Sequence, residues 1–161
     1  MFIIIRGPLG VGKTTIAQEL AKKLKAHVIS IDKILTDNAL DQAGDDGILV
    51  QNFLKGNEIV LPEIKNTLKK GTPVIIDGCF YHKEQIEHFL NDLPEGGHVI
   101  TLIASVEICI ERDRQREKPY GEDAARAVHW MVSKFDYGTV INTEDQTPKE
   151  TAQAILSLLT F

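Results

Sequence analysis

Gly7-Pro8-Leu9-Gly10-Val11-Gly12-Lys13-Thr14 is the stretch whose residue types and spacing specify chemistry most directly. It fits G-x-x-x-x-G-K-[ST] at every fixed position, between an apolar run and a segment of helical spacing. Glycines at 7, 10 and 12 let the main chain turn with its N–H groups inward. The turn ends on a helix N-terminus, whose partial positive charge attracts phosphate. Lys13 is placed to reach the β- and γ-phosphates of a nucleotide, and the Thr14 hydroxyl to ligate Mg²⁺. The remaining loop residues, Pro8, Leu9 and Val11, and Thr15 just after the loop complete the candidate nucleotide contacts.

Two carboxylates follow apolar runs. Asp32 comes after His27 to Ser30, and in an open parallel sheet the strand C-termini face the ligand crevice. It can point at the phosphates, N-cap a helix beginning near Lys33, or do both. Asp77 ends Pro73-Val74-Ile75-Ile76, where it can hold a magnesium-bound water opposite Thr14. Asp77-Gly78 is equally a common turn opener. Downstream, Arg112 and Arg116 are four residues apart, so on one continuous helix they share a face able to clamp phosphoryl oxygens. Glu111, Asp113 and Glu117 are interleaved with them, and a solvated helix end is the alternative.

The elements that must position these groups come from hydrophobic patterning. Phe2 to Ile5, His27 to Ser30, Pro73 to Ile76 and His98 to Ile103 are short continuous apolar runs, with a weaker one at Thr139 to Ile141. Such runs suit parallel strands covered on both faces. Helical spacing lies between them, at Ile16, Leu20 and Leu24, at Ile86, Phe89 and Leu90, and at Val128, Met131, Val132 and Phe135. Ser105 is placed to N-cap a helix, and Thr147-Pro148-Lys149-Glu150 reads as a capping box with proline at the first helical position. Strand and helix alternate, which predicts an α/β domain with a parallel sheet. The exception is residues 33–71, where several helices in succession are expected around an acidic break at Asp41 to Gly47.

The chain has 161 residues, the length of one ordinary domain, and no linker or repeat divides it, so residues 1–161 are read as a single domain. With 43% hydrophobic and 25% charged residues it falls among globular chains, which excludes disorder and coiled coil as whole-chain descriptions. The net charge of −5 argues against a general nucleic-acid partner. Cys79 and Cys109 are too few for a disulfide framework. No apolar run approaches the ~20 residues of a membrane span. The opening Met1-Phe2-Ile3-Ile4-Ile5 lacks the basic flank and cleavage site of a signal peptide, so a cytoplasmic protein with no membrane partner is expected.

On its phosphate loop and context the chain resembles the P-loop NTPase superfamily. It has no N-K-x-D guanine-reading motif, and the ATP-binding cassettes and AAA-type machines look too large for it. What remains resembles the small P-loop kinases, including shikimate, gluconate, nucleoside-monophosphate and antibiotic-phosphorylating kinases, over essentially the whole chain. The resemblance implies a three-layer fold with a five-stranded parallel sheet in order 2-3-1-4-5. It also implies a helical acceptor-side insertion over 33–71 and a short arginine-bearing lid over 112–123. ATP and Mg²⁺ are the implied cofactors, and the implied reaction moves the γ-phosphoryl group to a hydroxyl of a small molecule. A nucleoside or nucleotide kinase is one alternative, and a nucleotide-dependent switch or slow ATPase without an acceptor is another.

By the same resemblance, Asp32 matches an aspartate that orients the acceptor or takes its proton, and Lys13, Arg112 and Arg116 stabilise the transferring group. Asn142 and Thr143, in Ile141-Asn142-Thr143-Glu144-Asp145-Gln146-Thr147-Pro148, match a stretch that packs beside the adenine. Adenylate-kinase-like enzymes read Asp-Gly-Phe-Pro-Arg after the third strand. This chain reads Asp77-Gly78-Cys79-Phe80-Tyr81-His82 there, and residues 33–105 contain no arginine, so the expected acceptor bears no phosphate. Tyr81 and His82 are within reach of that acceptor, while Asp45 and Asp46 read as a solvated loop that a cationic acceptor can use. Trp130 and Phe135 read as packing residues, and the histidines show no ligand spacing. The oligomeric state is not encoded in any of these patterns.

Overall fold

In the computed structural model, which describes residues 1–159, the five apolar runs pair side by side in one parallel sheet. The elements in chain order are β1 (Phe2–Arg6), α1 (Lys13–Leu24), β2 (His27–Ser30), α2 (Ile31–Asp37), β3 (Ala43–Gly44), β4 (Gly47–Ile48) and α3 (Val50–Lys69). Then come β5 (Val74–Gly78), α4 (Lys83–Asp92), β6 (Gly97–Ile103), α5 (Val106–Arg114), α6 (Glu122–Val132), β7 (Thr139–Asn142) and α7 (Pro148–Leu158). The sheet runs β2-β5-β1-β6-β7, which is the expected 2-3-1-4-5 once the small β3–β4 hairpin is left out of the count.

Alternation along β1 explains why its sequence is apolar without interruption. Phe2 and Ile4 enter one core with Leu35, Phe53, Ile64 and Phe89. Ile3 and Ile5 enter the other with Ile16, Leu20, Cys109 and Ile155. A strand whose period-two side chains are buried on both faces has no polar face to show. Pairing in register then brings chemistry to one edge, because Asp77 lies opposite both Ile5 of β1 and Ser30 of β2. The C-terminal ends of three strands thus meet beside the turn into α1. No helix among the described residues is long and apolar enough to cross a membrane.

Local readings of the sequence need three corrections. Residues 33–71 hold the remainder of α2, a two-stranded hairpin and the single long α3, instead of several successive helices. The acidic break is that hairpin, tightened by Gly47 at φ 85°. Asp32 is not an N-cap: Ser30 holds that position, and Asp32 lies in the first turn of α2 with its carboxylate free for other partners. Ser105 does hold the N-cap position of α5, yet its side chain makes no capping bond. Its amide donates to Glu144 Oε1 at 2.5 Å instead, which ties α5 to the loop after β7. The box at Thr147 and Glu150 is complete.

Candidate functional site

The phosphate loop folds as its glycines require. Gly10 and Gly12 have φ of 80° and 103°, which β-carbon-bearing residues rarely adopt, and a Cβ at Gly10 would collide with the Cys109 carbonyl. Gly12 is the N-cap of α1, without a side-chain cap or an acidic residue in the first turn. The amides at the head of α1 therefore lack a protein anion, as a phosphate-binding N-terminus needs. Lys13 is buried and donates to the Pro8 carbonyl at 2.8 Å, which folds its ammonium back over the loop.

Behind Lys13 lies Asp77, with no exposed surface. The Thr14 hydroxyl is 3.5 Å from Asp77 Oδ1, while Oδ2 has no hydrogen-bond partner among the described residues. Burial raises the Asp77 carboxyl to about 6; Lys13 opposes that rise and Asp32 adds to it. An orphaned carboxylate oxygen beside a threonine hydroxyl, both facing a phosphate loop, suits a hydrated magnesium ion.

Asp32 shares a cavity wall with Lys13. Cys79 holds it, with its amide 3.5 Å from Oδ1 and its thiol donating to Oδ2 at 3.7 Å. Burial and the adjacent Asp32 push the Cys79 thiol up to about 12, so it stays a protonated donor.

Three cavities with shared wall residues lie along this line. The first, between the phosphate loop and residues 112–116, is walled by Gly12, Thr14, Arg112, Arg116 and Thr143. The second, about 250 Å³, has Lys13, Thr14, Asp32 and Arg116 in its wall. The third, about 370 Å³, lies beneath the β3–β4 hairpin and against α6. Thr14 and Arg116 are common to the first two, and Leu9, Asp32, Thr36 and Tyr120 to the last two.

The arginines do not share one helix face. α5 ends at Arg114 and Arg116 lies beyond it. Asp113 is the cause: its buried carboxylate accepts the amides of Tyr120 at 3.3 Å and Gly121 at 3.0 Å and pairs with Arg116 Nε at 3.4 Å. The chain is drawn into a loop, with Arg116 over the Tyr120 ring at 5.3 Å. Arg112 donates to the Thr143 carbonyl at 2.9 Å, to its hydroxyl at 3.0 Å and to Val11 O at 3.3 Å. It thereby fastens the phosphate loop to the β7 loop. The Asn142 side chain accepts the Glu144 amide at 2.9 Å and shapes the same segment. Arg114 is exposed and pairs with Glu122.

Sequence reasoning missed Arg6 and Asp113 as organisers. Arg6, fully buried at the end of β1, donates to Phe80 O, Thr101 Oγ1, Val132 O and Phe135 O. Burial lowers its guanidinium to about 10. A lone charge ending an apolar strand was the available signal. Trp130 departs from its packing assignment: it is 63% exposed, lines the third cavity, and has Lys134 Nζ 3.8 Å above its ring. Phe135 packs as expected, partly buried under the Arg6 guanidinium.

Comparisons with known proteins agree with this architecture. A sugar kinase from Janibacter sp. HTCC2649 superposes with a TM-score of 0.80 at 17% identity, covering 97% of this chain and 92% of that one. A gluconokinase from Sinorhizobium meliloti 1021 gives 0.70 at 15%, covering 98% and 90%. Shikimate kinase from Acinetobacter baumannii, in complex with shikimate, gives 0.62 at 23%, covering 98% and 91%. The fold is that of the small P-loop kinases. No curated protein sequence matches the chain. A family described as "AAA domain" matches residues 2–136, and with these neighbours it supports the small P-loop kinase resemblance. The chain belongs to that AAA domain family, in the compact form built on the small P-loop kinase fold.

Proposed function

We propose that the protein is an ATP- and Mg²⁺-dependent phosphotransferase that moves the γ-phosphoryl group of ATP to a hydroxyl of a small molecule. The observation that carries this reading is that the three cavities share wall residues in sequence, with Lys13, Thr14 and Asp32 in the wall of the middle one. A nucleotide entering from the Thr143 side would lay its phosphates on the loop amides and Lys13. A hydroxyl entering from the third cavity would meet Asp32. The acceptor oxygen bonds to the γ-phosphorus, the bond to the β–γ bridging oxygen breaks, ADP leaves, and the hydroxyl proton passes to Asp32.

Thr14 would hold magnesium through its hydroxyl and Asp77 through water; the ion, once bound, neutralises phosphate oxygens. Arg116, at the junction of the first two cavities, is the lid cation nearest the transfer path, and Arg112 positions the base-side loop through Thr143. Neighbours named as a sugar kinase, a gluconokinase and a shikimate kinase make alcohols the acceptors to try first. A switch needs no cavity beyond the phosphates, so the third cavity favours transfer over hydrolysis alone.

The test is ATP consumption across a panel of alcohols against the acceptor-free background. Acceptor-dependent turnover that disappears in Lys13→Ala, with circular dichroism unchanged, is the expected result. A uniform slow hydrolysis that no acceptor stimulates would favour the switch.

A further inference from the structure

The third cavity carries information about the acceptor that the phosphate loop does not. At about 370 Å³ it is within the ~300–1,000 Å³ usual for small-molecule sites. Phe53, Tyr81, Trp130 and Met131 dominate its sides, and Phe53 meets Tyr81 edge to face with centroids 5.0 Å apart. Its polar groups are few and mostly engaged. The Tyr81 hydroxyl accepts the Ile48 amide at 2.7 Å, which anchors the hairpin roof, and His82 fixes the same residue by donating to the Ile48 carbonyl at 2.9 Å. Thr36 donates to Asp41 at 2.8 Å. The Cys79 thiol is turned to Asp32.

The charges in the wall are all of one sign. Asp32 lies at the inner end and Asp41, Asp45 and Asp46 on the hairpin side, and no lysine, arginine or histidine lines the cavity. The cations, Lys13, Lys33 and Arg116, belong to the adjoining phosphate cavity. An anionic acceptor would therefore meet carboxylates in the wall, and the cations that lie against its rings, Lys134 over Trp130 and Arg116 over Tyr120, are not in the lining. A polyol would place several hydroxyls against aromatic and thioether surface, and each one left unpaired weakens binding roughly 10-fold. An aromatic or alicyclic body fits that surface, a single hydroxyl fits Asp32, and an ammonium fits the acidic roof.

Building on the phosphotransferase reading, we infer that the acceptor is an apolar-bodied amino alcohol, with its ring between Phe53, Tyr81 and Met131, its hydroxyl at Asp32 and its amine beneath Asp45 and Asp46. Sugars, sugar acids and phosphorylated compounds are disfavoured by the same wall.

Trp130 is the single tryptophan of the chain and lines the cavity, so its fluorescence reports occupancy without any nucleotide. Phenylalaninol should change that emission saturably, at least ~10-fold more tightly than phenyllactate or gluconate. Ala127→Phe, a substitution at an exposed position of α6 that fills the cavity, should abolish the response with circular dichroism unchanged. Asp45→Asn combined with Asp46→Asn should weaken phenylalaninol about 5-fold or more and leave neutral phenylpropanol unchanged. Equal or tighter binding of phenyllactate or gluconate overturns the inference, as does a response that survives Ala127→Phe. ATP consumption with the same compounds separates the two claims. Gluconate phosphorylated best would keep the phosphotransferase and remove the selectivity. Phenylalaninol bound, with no compound of the panel stimulating ATP consumption, would keep the selectivity and remove the phosphotransferase.

Discussion

The phosphate loop and the acceptor cavity differ first in how much chain each one gathers. The loop is eight consecutive residues that offer main-chain amides and one lysine. The cavity takes Leu9 from that loop, Leu35 from α2, Ile48 from the hairpin, Tyr81 from the turn after β5 and Met131 from α6. They differ in charge as well: the cavity at the loop sets Lys13, Lys33 and Arg116 beside Asp32 and Asp37, whereas the wall of the proposed acceptor cavity holds four aspartates and no cation. Phosphate recognition needs fixed dipoles at the end of a strand and the start of a helix, which a local motif supplies. Acceptor recognition needs a shape, and a shape is supplied by whatever elements pack there.

If the halves are separable, each can be broken while the other still binds. Lys13→Ala should reduce phosphoryl transfer by ~10³-fold or more while phenylalaninol still perturbs Trp130, because Lys13 does not line the acceptor cavity. Loss of the Trp130 response in that variant would show that the halves are not independent. Asp32→Asn comes next, at the seam. Its carboxylate touches both cavities, so kcat should fall by ~10²–10⁴-fold with nucleotide affinity retained. A fall confined to KM for the acceptor would make Asp32 an orienting group and not a base.

The same contrast explains which features were legible in the sequence. Strand runs such as Phe2 to Ile5, the loop motif and the Thr147 capping box are local patterns, and all stand in the structure at their expected places. Strand order came from resemblance, since periodicity cannot rank strands in a sheet. Trp130 reads as a packing residue in the sequence because helical spacing identifies an apolar stripe but not whether a cavity or a core faces it. The four-residue spacing of Arg112 and Arg116 suggests one helix because nothing in Glu111 to Tyr120 announces that the Asp113 carboxylate captures the Tyr120 and Gly121 amides. Cys79 and Asp32 meet across 47 residues, a distance over which a single sequence gives no signal.

Arg6 tests whether the two halves share one support. It ends β1 immediately before the phosphate loop, yet its bonds go to the acceptor side, at Phe80 O and at Val132 O and Phe135 O around the end of α6. Arg6→Met would leave those buried acceptors unpaired, at a cost on the order of 3–5 kcal/mol. The melting temperature should fall by about 10 °C, and both nucleotide and phenylalaninol binding should weaken together. A drop in one affinity alone would show that Arg6 serves only that half.

The smallest expected effect is a pH dependence at Asp77, which belongs to the phosphate half alone. Burial raises its carboxyl from 3.8 to about 6, so the folded protein holds this proton more tightly than the unfolded chain does. The contribution to stability is full below the unfolded value and is lost as pH rises from about 3.8 through about 6. Asp77→Asn removes that titration. In nucleotide-free protein, the melting temperature of the variant relative to wild type should therefore climb between about pH 4 and about pH 7, by at most about 3 kcal/mol of stability. Mg²⁺ with nucleotide should recover wild type near neutral pH, since a cation beside the orphaned Oδ2 favours the ionised carboxylate, and the asparagine variant should gain less. Asp32 adds to the rise but burial is its main cause, so Asp32→Asn should shrink this pH difference without abolishing it. Parallel pH curves for wild type and Asp77→Asn would mean that Asp77 is a turn residue, and the metal would then have to be held from the loop and the nucleotide alone.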